Sequence, residues 1–132
     1  FFFSFFFFFL QQAAQFLQQR LLGRVPEMDP NLVVVFSRTR NRFITNEHEL
    51  TSALETRWSQ VEVVRMETHS FEEQVALLSR ARVALGMHGS ILIMAMFMPP
   101  GSALLEMYPF AVPPENYTPY RTLARLPGHQ QR

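Results

Sequence analysis

LVVVF, residues 32–36, runs directly into SRTRNR, residues 37–42, and the fold turns on this junction. Val33, Val34 and Val35 are β-branched, and the run has no polar side. A strand of this kind is covered on both faces, as in a parallel sheet flanked by helices. The polar, Arg-rich segment 37–45 then reads as the loop leaving the strand's carboxyl end.

Working outward, the same alternation recurs. Upstream, the spacing predicts a helix over 11–22, with Ala13, Phe16, Leu17 and Leu21 at three- and four-residue steps and Gly23 as its stop. RVPEMDPN (24–31) is a linker. Downstream, Asn46-Glu47-His48-Glu49 reads as a helix start, with Asn46 as N-cap, Glu49 in the third position and Leu50, Ala53, Leu54 and Trp58 on one face. A strand is expected over 61–66. Ser70 and Glu73 form a capping box ahead of the stripe Phe71, Val75, Leu78 and Ala81. A short strand over 83–85 ends in Gly86-Met87-His88-Gly89. Residues 90–98 are apolar all round, a buried helix or core segment stopped by Pro99-Pro100-Gly101. A fourth strand is expected over 102–107, a proline-rich loop over 109–114, and a last helix from Thr118-Pro119 through Leu126. The β-α-β-α-β-α-β-α order predicts an α/β fold: a Rossmann-like parallel sheet with helices on both faces. Ligand sites in such sheets form at the carboxyl ends of the strands. The loop after Phe36, the turn around His88 and the loop after Met107 all fall there.

Composition narrows the chemistry. The chain of 132 residues has a formal net charge of +1, which implies no pull toward nucleic acid. All 12 basic residues are Arg, whose planar forks suit phosphate; GC-rich coding bias gives the same count. There is no Cys, which excludes disulfides, thiol nucleophiles and cysteine metal sites, and no metal-binding motif is present. Residues 1–9 hold eight Phe, a run too short for a membrane span and without the basic start of a signal peptide. They are expected to be a truncation edge or an artefact, and 10–132 the domain proper.

Three groups carry candidate chemistry. Ser37-Arg38-Thr39-Arg40-Asn41-Arg42 places three guanidiniums and two hydroxyls just past a buried strand, as a diphosphate requires. The competing reading is a solvated basic loop, or an Arg clamping a carboxylate. His88 between Gly86 and Gly89, leading into a helix at Ser90, lets backbone approach a ligand and offers helix N–H groups to phosphate. His88 is the candidate for offsetting leaving-group charge; a structural turn with a satisfied His is the alternative. Glu106, at the end of the last strand, is placed to accept from ribose hydroxyls or to pair with an Arg. Tyr108, Tyr117 and Tyr120 either wall a base pocket or pack in the core. His48 and His69 read as surface residues. Asn116-Tyr117-Thr118 matches a glycosylation acceptor pattern ahead of Pro119. Apart from Glu106, no carboxylate stands at a strand end as an obvious base.

The segments VVVFSRTRNRFITNEHEL (33–50), ARVALGMHGS (81–90), FMPPGSALLEMYPFAV (97–112) and ENYTPYRTLARLPG (115–128) together resemble the glycosyltransferase 61 family over roughly residues 12–128. The resemblance implies the donor-binding half of a two-domain GT-B enzyme. It also implies inverting transfer of N-acetylglucosamine from UDP-N-acetylglucosamine to O-linked mannose on a glycoprotein such as α-dystroglycan. A sister activity toward EGF domains, or a non-catalytic nucleotide-binding fragment, are the alternatives. No cofactor is implied beyond the donor substrate. The complete protein is expected to be a type II membrane protein on the lumenal side of the endoplasmic reticulum, its anchor and acceptor-side domain lying outside this chain. Donor binding carries over to Ser37, Arg38, Arg42, His88, Gly89, Ser90 and Glu106. Ser90 stands where the family commonly has Ala, and ILIMAMF (91–97) is more apolar than the family's usual segment.

Overall fold

The computed structural model describes residues 2–65, 67–111 and 130–131. Helix α1 (Phe2–Leu22) leads to strand β1 (Leu32–Ser37). The chain then passes through α2 (Glu47–Glu55), β2 (Gln60–Arg65), α3 (Phe71–Leu78), β3 (Val83–Met87), a 3-10 helix (Ser90–Phe97) and β4 (Ala103–Met107). The two-residue β5 (Gln130–Gln131) pairs with β4. The loop beyond Ala111 and the helix expected over 118–126 lie outside the described residues.

The sheet has the order β2-β1-β3-β4-β5, with every pair parallel. Val33 sits opposite Val61 on one side and Val83 on the other, so β1 is an interior strand. It is buried from end to end, as its unbroken apolar run requires. Successive side chains of a strand point to opposite faces. Leu32, Val34 and Phe36 therefore join Val75, Leu78 and Leu92 in the layer built by α1, α3 and the 3-10 helix. Val33 and Val35 meet Leu50, Leu54 and Trp58 of the α2 side. Each such buried side chain contributes about 1.5–3 kcal/mol. The α/β, Rossmann-like reading therefore holds for the described residues.

The chain goes from β1 outward to β2 across one face, then returns over β1 to β3 across the other. Direction reverses between β1 and β3, and the strand ends splay there into a crevice. This topology, rather than any single motif, puts the segment after Phe36 beside the segment after Met87.

Several local expectations change. The first helix begins at Phe2 rather than at residue 11, so most of the segment set aside as an edge is continuous with it. Its inward face is Ala14 and Gln18, with Leu10, Leu17 and Leu21 partly buried, and Phe16 is 68% exposed. Gln18 sits on the apolar side because its Nε2 donates to Ser79 Oγ and to the Phe97 carbonyl, each at 2.9 Å. Gly23 ends the helix in the left-handed conformation (φ 71°), as its position suggests. Asn46 makes no side-chain cap to α2. Glu47 and Glu49 instead lie in the first turn, where the helix's partial positive end favours acids. Ser37 closes β1 rather than opening the loop. No helix among the described residues is long and apolar enough to cross a membrane.

The segment 90–97 is a 3-10 helix, not an α-helix. With three residues per turn, burial repeats every third position. Ser90 and Ile93 are exposed and Met96 is half-buried, while the pairs between them are buried. Two of three faces are covered, which is why the sequence looks apolar all round.

Candidate functional site: a crevice between β1 and β3

Arg38 is the first residue beyond β1, and Gly89 and Ser90 lie just beyond β3. With Asn41 and Arg42 they line an open crevice of about 530 Å³ at the switch point. The approach is close. A side-chain carbon on Gly89 would lie 2.5 Å from Nη1 of Arg38. Gly89 has extended backbone (φ 162°), so the site requires its missing Cβ rather than its conformational freedom. Among the described residues, neither a hydrogen bond nor an ion pair occupies the Arg38 guanidinium. Its charge is felt at Glu67. The Glu67 carboxyl is held below the usual 4.5 mainly by its own backbone N–H, next by the hydroxyl of Thr39 (2.9 Å), with the charge of Arg38 contributing last.

The loop after β1 folds back over β3. Asn41 and Arg42 both have positive φ, 50° and 52°. Asn tolerates this region; Arg rarely adopts it and is held there by its surroundings. One such hold is visible, since Arg42 Nη1 donates to the His88 carbonyl at 3.2 Å. Two guanidiniums thus converge on one peptide segment, while Ser90 supplies a hydroxyl and heads the 3-10 helix, whose first N–H groups have no earlier turn to bond to. The arrangement suits a ligand with two or more negative charges on adjacent oxygens.

His88 and Glu106 stand behind this wall. Their side chains are 5% and 1% exposed, and His88 Nδ1 bonds Glu106 Oε1. Tyr108 Oη donates to Glu106 Oε2 at 2.9 Å, and the Tyr108 ring stacks on the imidazole with centroids 5.1 Å apart and planes 18° apart. The His88 N–H donates to the Met107 carbonyl at 2.7 Å. Of the seven residues expected to bind the donor, the structure brings Arg38, Arg42, Gly89 and Ser90 to the crevice. Ser37 is buried in β1. Among the described residues the Glu106 carboxylate meets His88 and Tyr108, and it is not on the crevice wall. Among the described residues no three His, Asp or Glu side chains converge as metal ligands would.

Residues 3–105 match the family model for Glycosyltransferase 61. The chain belongs to that family. It is similar to Protein O-linked-mannose beta-1,4-N-acetylglucosaminyltransferase 2 of Bos taurus (48% identical over 97 residues, 73% of this chain). The proteins of the same name from Takifugu rubripes and Homo sapiens are 50% and 46% identical over the same length. The chain spans only 17% of the bovine and human relatives and 16% of the fish one.

Within this family-61 chain, the sequence puts Asn41 in the Arg-rich candidate segment but gives it no role of its own, and the tie between Thr39 and Glu67 is not foreseen. Asn between two Arg residues was a usable signal, because Asn is enriched at positive φ. Nothing local in the sequence points to Glu67.

Proposed function

We propose that this chain forms the nucleotide-sugar side of an inverting N-acetylglucosaminyltransferase. The donor is UDP-N-acetylglucosamine and the acceptor an O-linked mannose on a glycoprotein. The observation that carries the reading is the pair of guanidiniums, Arg38 and Arg42, facing a Cβ-free Gly89 at the sheet's switch point. The crevice has the size of a ligand site, roughly 300–1,000 Å³. The names of the relatives support the sugar and the acceptor.

In this reading the acceptor hydroxyl oxygen attacks the anomeric carbon from the face opposite the diphosphate. The new C–O bond forms as the bond to the β-phosphate oxygen breaks, and the electron pair leaves with UDP. Arg38 and Arg42 meet the charge that grows on that oxygen, and fixed donors of this kind act most strongly where charge develops. The hydroxyl proton passes to a base other than the lining residues among those described, which hold neither carboxylate nor imidazole. We place the complete enzyme on the lumenal side of the endoplasmic reticulum as an anchored two-domain protein, with the acceptor bound by parts beyond this chain.

Arg38→Ala in the full-length protein tests the reading. Loss of one such donor costs about a hundredfold or more in turnover. Steady-state assay with UDP-N-acetylglucosamine and an O-mannosyl peptide is expected to show that drop; unchanged turnover would remove Arg38 from the mechanism.

A further inference from the structure

The imidazole of His88 and the carboxylate of Glu106 are buried, yet His88 is one residue from the crevice lining. The network is continuous. Tyr108 Oη holds one oxygen of Glu106, and the other holds His88 Nδ1. The His88 N–H is fixed to the Met107 carbonyl, and the His88 carbonyl accepts from Arg42. The next residue, Gly89, is the surface against which Arg38 lies. A carboxylate oxygen can only accept from Nδ1–H, so Glu106 also sets the imidazole's tautomer and ring plane. Tyr108 stacks on one face of the ring.

We infer that Glu106 and Tyr108 are positioning residues. They clamp His88 from the end of β4 and so fix the 88–89 peptide that aligns both guanidiniums, without touching the nucleotide. The inference rests on reading the crevice as a diphosphate site. It assigns Glu106 a role that differs from a direct contact to ribose. A direct contact acts on ribose alone, whereas a clamp behind the phosphate wall acts on every ligand that carries the diphosphate.

The test measures affinities of the full-length protein for UDP, 2′-deoxy-UDP and inorganic pyrophosphate by calorimetry, in wild type, Glu106→Gln, Tyr108→Phe and Arg38→Ala. Each variant is held well below its unfolding temperature. Glu106→Gln is expected to weaken all three ligands by one common factor, roughly ten- to a hundredfold, as misplaced support around a site does. Tyr108→Phe keeps the stack and loses less, again equally for all three. A loss confined to UDP with pyrophosphate unchanged would restore the ribose contact and overturn the clamp, and so would no loss with any ligand. Amide hydrogen exchange supplies a ligand-free arm. Exchange at His88 and Gly89 is expected to rise in Glu106→Gln while the α3 amides stay unchanged; unaltered exchange at 88–89 would overturn the clamp. If wild type binds neither UDP nor pyrophosphate, the diphosphate reading fails and the exchange arm alone decides the network.

Discussion

Gly86 and Gly89 stand three residues apart, and a methyl group added at each meets different neighbours. At Gly86 it would lie 2.9 Å from Phe36 Cβ, inside the packed sheet. Nothing there can swing away, so Gly86→Ala is expected to cost about 1–3 kcal/mol as overpacking does, seen as a lower midpoint in urea unfolding. At Gly89 it would meet the far end of the Arg38 side chain, which can move. Gly89→Ala is therefore expected to leave the unfolding midpoint nearly unchanged and to weaken UDP binding roughly tenfold or more by displacing the guanidinium. Equal effects of the two variants on both readouts would contradict this division. The sequence made Arg38 and Gly89 legible because each lies directly at a strand end. It could not give the partner of Glu106, because a buried carboxylate is matched by whatever the neighbouring strand presents. The three aromatic readings divide in the same way: Tyr108 stacks on the His88 imidazole and donates to Glu106, and Tyr117 and Tyr120 lie outside the described residues.

Among the elements, α3 shows a local signal that tertiary structure leaves intact. Ser70 Oγ accepts from the Glu73 N–H at 3.1 Å, and the Glu73 carboxylate accepts from the Ser70 N–H at 2.6 Å. The Ser70 N–H first, and the Ser70 hydroxyl next, hold the Glu73 carboxyl below its usual 4.5. A depressed folded-state value means that the stabilisation is fully present above the unfolded value and is lost as pH falls through the folded one. The cap is thus expected to be intact at neutral pH and to loosen only below 4.5. Ser70→Ala is expected to cost about 1 kcal/mol at pH 7, and Glu73→Gln to flatten the acid limb of stability measured by denaturant titration. An unchanged acid limb in Glu73→Gln would remove the cap from that dependence. The 3-10 helix was not legible in the same way. A segment buried on two of its three faces has no amphipathic period to read, and the choice between 3.6 and 3.0 residues per turn falls to the packing of Ile91, Met94 and Phe97 against the layer of α1 and α3. Gln18 is the converse case. A polar residue interrupts the inward face of α1, and only its partners Ser79 and Phe97 explain it.

Taken whole, the molecule gains its site from chain direction. The valine run of β1 announces a covered parallel strand, and alternation with helices announces the sheet. Neither states the strand order, and the order β2-β1-β3-β4 is what brings the 38–42 loop against the 88–90 turn. Charge then follows from topology: two Arg side chains and a glycine meet at the carboxyl ends of β1 and β3. The measurement that reaches this most directly is a crystal structure of the full-length protein with UDP. The diphosphate is expected between the guanidinium of Arg38 and the Gly89–Ser90 backbone, with Glu106 still on His88. A diphosphate bound elsewhere, with Arg38 turned to Glu67, would contradict the account.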